Sequence, residues 1–134
     1  MEGAVTGAPR LILRAEGAAV LVAAVWGYAA LGGGWWMFAL LILTPDLSML
    51  GYLREPRVGA AIYNAAHSYL GALALLALGH LVAVPVLTAL GLIWAAHVGV
   101  DRALGYGLKY PGGFGATHLG TLRAASQATP SAQA

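Results

Sequence analysis

Four long apolar runs constrain this chain of 134 residues more than any other feature of its sequence. They cover residues 11–31, 35–53, 58–79 and 81–100. Each run is close to the roughly 20 apolar residues that an α-helix needs to cross the about 30 Å hydrocarbon core of a bilayer. The sequence therefore predicts an all-α, polytopic membrane protein built as an antiparallel bundle of four transmembrane helices.

The composition excludes a water-soluble globule. Hydrophobic residues make up 60% of the chain and charged residues 9%, which leaves too little polar surface for contact with water on all sides. We expect the lipid bilayer to be the main partner. Because the chain has no cysteine, disulfides, thiolate metal sites and iron–sulfur clusters are excluded as well.

Short breaks separate the runs. Three glycines at 32–34 divide the first run from the second, and a charged turn at 54–57 divides the second from the third. A single helix over 58–100 would be about twice as long as the hydrocarbon core is thick, so we expect a tight turn near Gly79 and His80. The bundle and its C-terminal loop form one expected domain over residues 1–123, and residues 124–134 form an expected disordered tail.

The basic side chains predict the orientation in the membrane. They are Arg10, Arg14, Arg54, Arg57, Arg102, Lys109 and Arg123. None lies in the first or the third connection, so the positive-inside rule places both termini and the 54–57 turn in the cytoplasm, with the bundle in a bacterial inner membrane. The mild positive charge is explained by this orientation, and we expect no nucleic-acid partner.

Polar side chains inside the apolar runs are the candidates for function, because such groups are costly in hydrocarbon. They are Glu16, Asp46, Asn64, His67, His97 and Asp101. From the rise of a helix, the first five lie roughly 8 to 14 Å from the cytoplasmic ends of their helices, and the last lies at the rim. Every helix thus contributes to one polar layer. Pro45 removes the usual donor to the Leu41 carbonyl, which predicts a kink beside this layer.

Imidazole and carboxylate groups that converge in a helix bundle are suited to a divalent metal such as zinc, iron or manganese. We assign Asp46, His67 and His97 as the candidate metal ligands. His97 and Asp101 are four residues apart and share a helix face, so we expect Asp101 to orient the imidazole. With an open ligand position, a bound water would be activated for hydrolysis.

The remaining candidate residues have expected roles around the proposed metal. Glu16 and Asp101 are the candidate catalytic groups, with Glu16 as a base or a further ligand. Asn64, Arg102 and Lys109 are the candidate cofactor-binding residues. Lys109 belongs to a glycine- and aromatic-rich segment at 105–120, which we expect to be ordered over the cytoplasmic mouth of the bundle.

Three stretches carry a resemblance to a known family. They are TPDLSMLGY at 44–52, YNAAHSY at 63–69 and HVGVDRALGYGLKYP at 97–111. Over about residues 10–120 the chain resembles a small bacterial membrane family described as domain of unknown function 4260. The resemblance implies a short multi-helix membrane protein of unestablished activity, and its motifs contain the polar candidates on the last three runs together with Arg102 and Lys109.

Several functions are compatible with these features. A metal-dependent hydrolase would act on a lipid or another amphiphile. A non-catalytic accessory subunit, or a homo-oligomer, would use small residues such as Gly17, Gly27 and Gly71 for close contacts with partner helices. His67 and His97 would also suit the two axial positions of a b-type haem, and a proton-relay module remains a further alternative. For each polar residue taken singly, a purely structural role is the competing interpretation.

Overall fold

The computed structural model describes residues 3–112 and 114–121. The helices are α1 (Gly7–Leu31), α2 (Trp35–Leu41), the 3₁₀ helix η1 (Thr44–Leu53), α3 (Pro56–Ala66), α4 (Tyr69–Leu81) and α5 (Pro85–Leu104). Two short antiparallel strands follow, β1 (Ala116–Thr117) and β2 (Gly120–Thr121). The expected tail over 124–134 lies outside the described residues.

Four segments are long and apolar enough to cross a membrane. They are Gly7–Leu31, Trp35–Leu53, Pro56–Leu81 and Pro85–Leu104. The prediction of an all-α protein with four membrane-spanning segments is therefore confirmed. The last break falls at 82–84, three residues after the predicted turn.

The last helix, α5, forms the centre of the bundle, because it packs against both α1 and α4. A Cβ atom placed on Gly99 would lie 2.8 Å from both the Gly17 carbonyl oxygen and the Leu21 backbone nitrogen. The two backbones are therefore in direct contact, which only small residues permit. Gly17, Gly27 and Gly71 all pack against α5 inside the chain, so their presence does not indicate a partner helix.

Two of the spans are interrupted, and the interruptions expose backbone carbonyls that need partners within the bilayer. In the second span α2 ends at Leu41, and the Thr44 hydroxyl donates to the Leu41 carbonyl at 2.6 Å. This is the break that Pro45 predicted. In the third span the Trp94 indole donates to the Ala66 carbonyl at 2.6 Å, across the gap between α3 and α4. The sequence predicts one continuous helix over this span, whereas the structure divides it into α3 and α4.

The close approach of α1 and α5 makes Gly99 sensitive to substitution. We expect Gly99→Ala to destabilise the protein by about 1–3 kcal/mol, because the new methyl group meets backbone atoms that cannot move independently. Gly27→Ala is the matched control, since its Cβ would meet only the movable Leu92 side chain, at 3.3 Å. Thermal unfolding in detergent measures both. Equal melting temperatures for the two variants would contradict the packing described here.

Candidate metal centre

Four side chains from three helices meet at one point, and together they are called the His/Asp cluster. Asp46 comes from the first turn of η1, His67 from the end of α3, and His97 and Asp101 from successive turns of α5. Each residue offers one ligand atom, and these atoms all lie within 4.8 Å of one another. The cluster combines the three ligands predicted from the sequence with Asp101.

The spacing of the ligand atoms matches a small coordination shell. The Nε2 atoms of His67 and His97 are 3.1 Å apart. Asp46 Oδ1 lies 3.2 and 3.3 Å from them, and Asp101 Oδ2 lies 3.4 Å from each. The edge of a tetrahedron with ligands about 2.0–2.1 Å from its centre is about 3.3–3.4 Å long. Five of the six separations among these atoms are thus close to those of a tetrahedral first shell, and the two carboxylate oxygens lie within 4.8 Å of each other.

Hydrogen bonds on the far side of each ring determine which nitrogen faces the cluster. His67 Nδ1 lies 2.9 Å from the Tyr63 carbonyl, and His97 Nδ1 lies 2.6 Å from the Ile42 carbonyl. A carbonyl can only accept, so each Nδ1 carries the hydrogen. In the neutral rings both Nε2 atoms are then lone-pair donors to a metal. This is the arrangement that orients histidine ligands in metalloproteins.

Neighbouring side chains hold His67 in place. The Tyr63 ring stacks on the imidazole with centroids 3.7 Å apart and planes 9° from parallel. Arg102 is buried, and its guanidinium donates to the carbonyls of His67, at 2.8 Å, and Tyr106, at 3.0 Å. In this structure Arg102 supports the backbone at the end of α3. Tyr63 was missed in the sequence analysis, although its position one helical turn before His67 was a usable signal.

The C-terminal segment, which the sequence predicts to be ordered over the mouth of the bundle, is fastened to the bundle beside the cluster. The Asn64 side chain forms two hydrogen bonds with the backbone of Lys109, accepting from its N–H at 2.6 Å and donating to its carbonyl at 2.8 Å. Lys109 is only 5% exposed, and its Nζ donates to the Phe114 carbonyl at 2.7 Å. Burial lowers the pKa of this ammonium group, while the nearby Asp101 carboxylate raises it.

Two sequence expectations change with this geometry. Asp101 is expected from the sequence to orient His97, yet its carboxylate is nearly as close to both imidazoles as that of Asp46, so it is a ligand candidate in its own right. One helical turn separates Asp101 from His97, which brings both side chains to one point. Glu16 is exposed on α1 and is not part of the cluster. A haem between the two imidazoles would place its macrocycle where the carboxylates lie.

The cluster borders a cavity of about 340 Å³. The lining residues are Asp46, Met49, Tyr63, Asp101, Tyr106, Lys109 and Phe114. The side chain of Asp46 is 33% exposed, whereas those of His67 and His97 are 0% and 4% exposed. The carboxylate side of the cluster is therefore the side that a water or a small ligand can reach.

Fold and site together define a small helical protein with four candidate membrane spans and a His/Asp cluster beside a cavity. The family model described as domain of unknown function (DUF4260) matches residues 10–122. The chain belongs to this family, which confirms the resemblance seen in its sequence. No curated protein and no solved structure matches the chain.

The attachment of the C-terminal segment predicts how Asn64 affects proteolysis. Asn64→Ala removes two hydrogen bonds to the Lys109 backbone, each worth about 1 kcal/mol. We expect tryptic cleavage after Lys109 to become about tenfold faster or more. Cleavage after the exposed Arg57 in the same digest is the internal control and should not change. Equal cleavage rates after Lys109 in the wild type and the variant would show that Asn64 does not fasten this segment.

Proposed function

We propose that this protein is a metal-dependent membrane hydrolase that binds one divalent zinc, iron or manganese ion in the His/Asp cluster. One observation carries the proposal. The two imidazole Nε2 atoms lie 3.1 Å apart, and each lies 3.2 to 3.4 Å from an oxygen of both carboxylates. All four are electron-pair donors, so a cation among them is needed to offset their mutual repulsion.

Protons are the competing cations. If each Nε2 carried a hydrogen, both rings would be imidazolium ions with nitrogens 3.1 Å apart, in a site where the histidines are buried. Two like charges at this distance repel strongly away from water. A single proton on one Nε2 would avoid this repulsion but would balance only one of the two carboxylate charges. A single divalent ion neutralises both carboxylates and uses all four lone pairs at once. The His₂Asp₂ set is also chemically suited to zinc, iron or manganese, which accept imidazole and carboxylate ligands.

The position of the cavity supports a catalytic rather than a purely structural ion. Catalytic zinc sites keep three protein ligands and leave one position for water or substrate. Asp46 is the most exposed member of the cluster and lines the cavity, so it is the candidate to yield its place or to share it with a water. A bound divalent ion supplies a Lewis acid and lowers the pKa of that water. Asp46 and Asp101 are then placed to accept its proton.

The metal content of ligand variants tests the proposal. We expect His67→Ala and His97→Ala each to remove most of the bound metal from detergent-purified protein, because the remaining ligands cannot complete the shell. Asp101→Asn should also weaken binding by more than the about 10- to 100-fold that is typical of a residue which only orients a ligand. Elemental analysis of protein purified without chelator measures all three.

His80→Ala is the matched control, because His80 is exposed at the end of α4 and far along the chain from the cluster. It should leave the metal content unchanged. A wild-type protein without stoichiometric metal, or histidine variants that keep their metal, would contradict the proposal. The accessory-subunit alternative would then be favoured.

A further inference from the structure

The cavity beside the cluster has a chemistry of its own. We infer that it binds an amphiphile with a monoanionic phosphodiester head group, held between the metal and the Lys109 ammonium. This inference rests on the proposed metal centre and adds the class of substrate. It is derived from the position of Lys109, from the charges around the cavity and from the helix that forms its wall.

Lys109 is held rigidly at the cavity. Asn64 fixes its backbone, and its Nζ lies 3.6 Å from the centre of the Phe114 ring and 4.6 Å from the centre of the Tyr63 ring. The Tyr63 ring in turn stacks on His67. A single aromatic ring therefore separates the ammonium group from a metal ligand. A ligand in the cavity would face the cluster on one side and the ammonium group on another.

The charge of Lys109 has no close partner in the described part of the chain. No carboxylate oxygen lies within 4.0 Å of its Nζ there, and its one hydrogen bond is to a neutral carbonyl. An ammonium group offers three donors. A buried cation is stable when it is paired, so this group is suited to an anionic ligand.

Charge balance indicates how much negative charge that ligand carries. Among the residues that line the cavity, the carboxylates of Asp46 and Asp101 would neutralise a divalent ion, which leaves the single positive charge of Lys109. A phosphodiester carries one negative charge. Its two non-bridging oxygens can contact two cations at once. It also contains P–O ester bonds, which a hydrolase can cleave. A carboxylate would match the charge, but the group held between the two cations would then not itself contain the bond that the activated water cleaves.

The hydrolysis that this placement implies is balanced with water as the only co-reactant. The water oxygen forms a new bond to phosphorus, and one ester P–O bond breaks. One proton of the water ends on the departing alkoxide, which leaves as an alcohol. The other stays on the phosphomonoester product.

The wall of the cavity indicates why the ligand is an amphiphile. Asp46 and Met49 of η1 line the cavity, while Leu47, Leu50 and Leu53 on the same helix are exposed. In a membrane such leucines face lipid chains. A single 3₁₀ helix thus separates the head-group cavity from hydrocarbon. Phe114 and Met49 give the cavity an apolar edge that acyl chains can contact.

Cobalt-substituted protein provides the test, because the visible bands of Co²⁺ respond to a new ligand at the metal. Three probes are compared. Dihexanoylphosphatidylglycerol is an amphiphile with a monoanionic phosphodiester. Dihexanoylglycerol is a neutral amphiphile, and dimethyl phosphate is a phosphodiester without acyl chains. We expect only dihexanoylphosphatidylglycerol to change the Co²⁺ bands, and this change should saturate at a low concentration of the probe. If dimethyl phosphate bound as tightly as dihexanoylphosphatidylglycerol, the ligand would not need to be an amphiphile. If dihexanoylglycerol bound as tightly, the ligand would not need an anionic head group. Either result would overturn that part of the inference.

Lys109→Met separates this inference from the metal centre. It should keep the cobalt bands but weaken binding of dihexanoylphosphatidylglycerol by about 10- to 100-fold, since a charge-assisted hydrogen bond is lost. Lys109→Arg should restore part of the affinity. Arg57→Met removes an exposed charge elsewhere and should change nothing. Unchanged affinity in Lys109→Met overturns the inference while the metal centre stands, and wild-type protein without cobalt bands overturns the metal centre itself.

Discussion

Two hydrogen bonds to backbone carbonyls determine the chemistry of this site. The Nδ1–H groups of His67 and His97 donate to the carbonyls of Tyr63 and Ile42, and so both Nε2 lone pairs point toward the carboxylates. If either Nδ1 had no backbone carbonyl to donate to, the ring could carry its hydrogen on Nε2 instead. That Nε2–H group would then donate an ordinary hydrogen bond to a carboxylate. That nitrogen would then be unavailable to a metal. The metal binding that we propose thus depends on atoms outside the four residues of the cluster.

Breaks in the membrane spans provide one of these two carbonyls, that of Ile42, and free another beside the cluster, that of His67. Ile42 follows the last residue of α2, and His67 follows the last residue of α3. At a helix end the carbonyls lose their intrahelical donors, and inside a bilayer the protein must replace them. At Ile42 the replacement is a histidine of the cluster. At His67 it is Arg102, from the helix that also carries His97 and Asp101. Helix interruption and site formation therefore have the same structural origin.

Much of this arrangement was predictable from the sequence, because hydropathy and helical spacing are local properties. The four candidate spans and the convergence of Asp46, His67 and His97 were predicted in this way. The division of α3 from α4 was not, since it is stabilised by Trp94 and Arg102 from a distant part of the chain.

In two places the structure puts a side chain elsewhere than helical spacing predicts. Depth along a helix placed Glu16 in the polar layer, but depth does not determine which face of α1 turns toward the bundle. The same estimate put Asp101 at the rim and suggested a supporting role. The structure brings its carboxylate to the ligand atoms, because one helical turn from His97 is within reach of a short side chain.

X-ray absorption at the metal edge tests the proposed centre most directly. The sample is wild-type protein purified in detergent without chelator and analysed for one ion per chain. For zinc we expect a first shell of nitrogen and oxygen ligands at about 2.0–2.1 Å, with the outer-shell scattering of two imidazole rings. A bound ion whose spectrum shows water or carboxylate oxygens but no imidazole would contradict the centre described here.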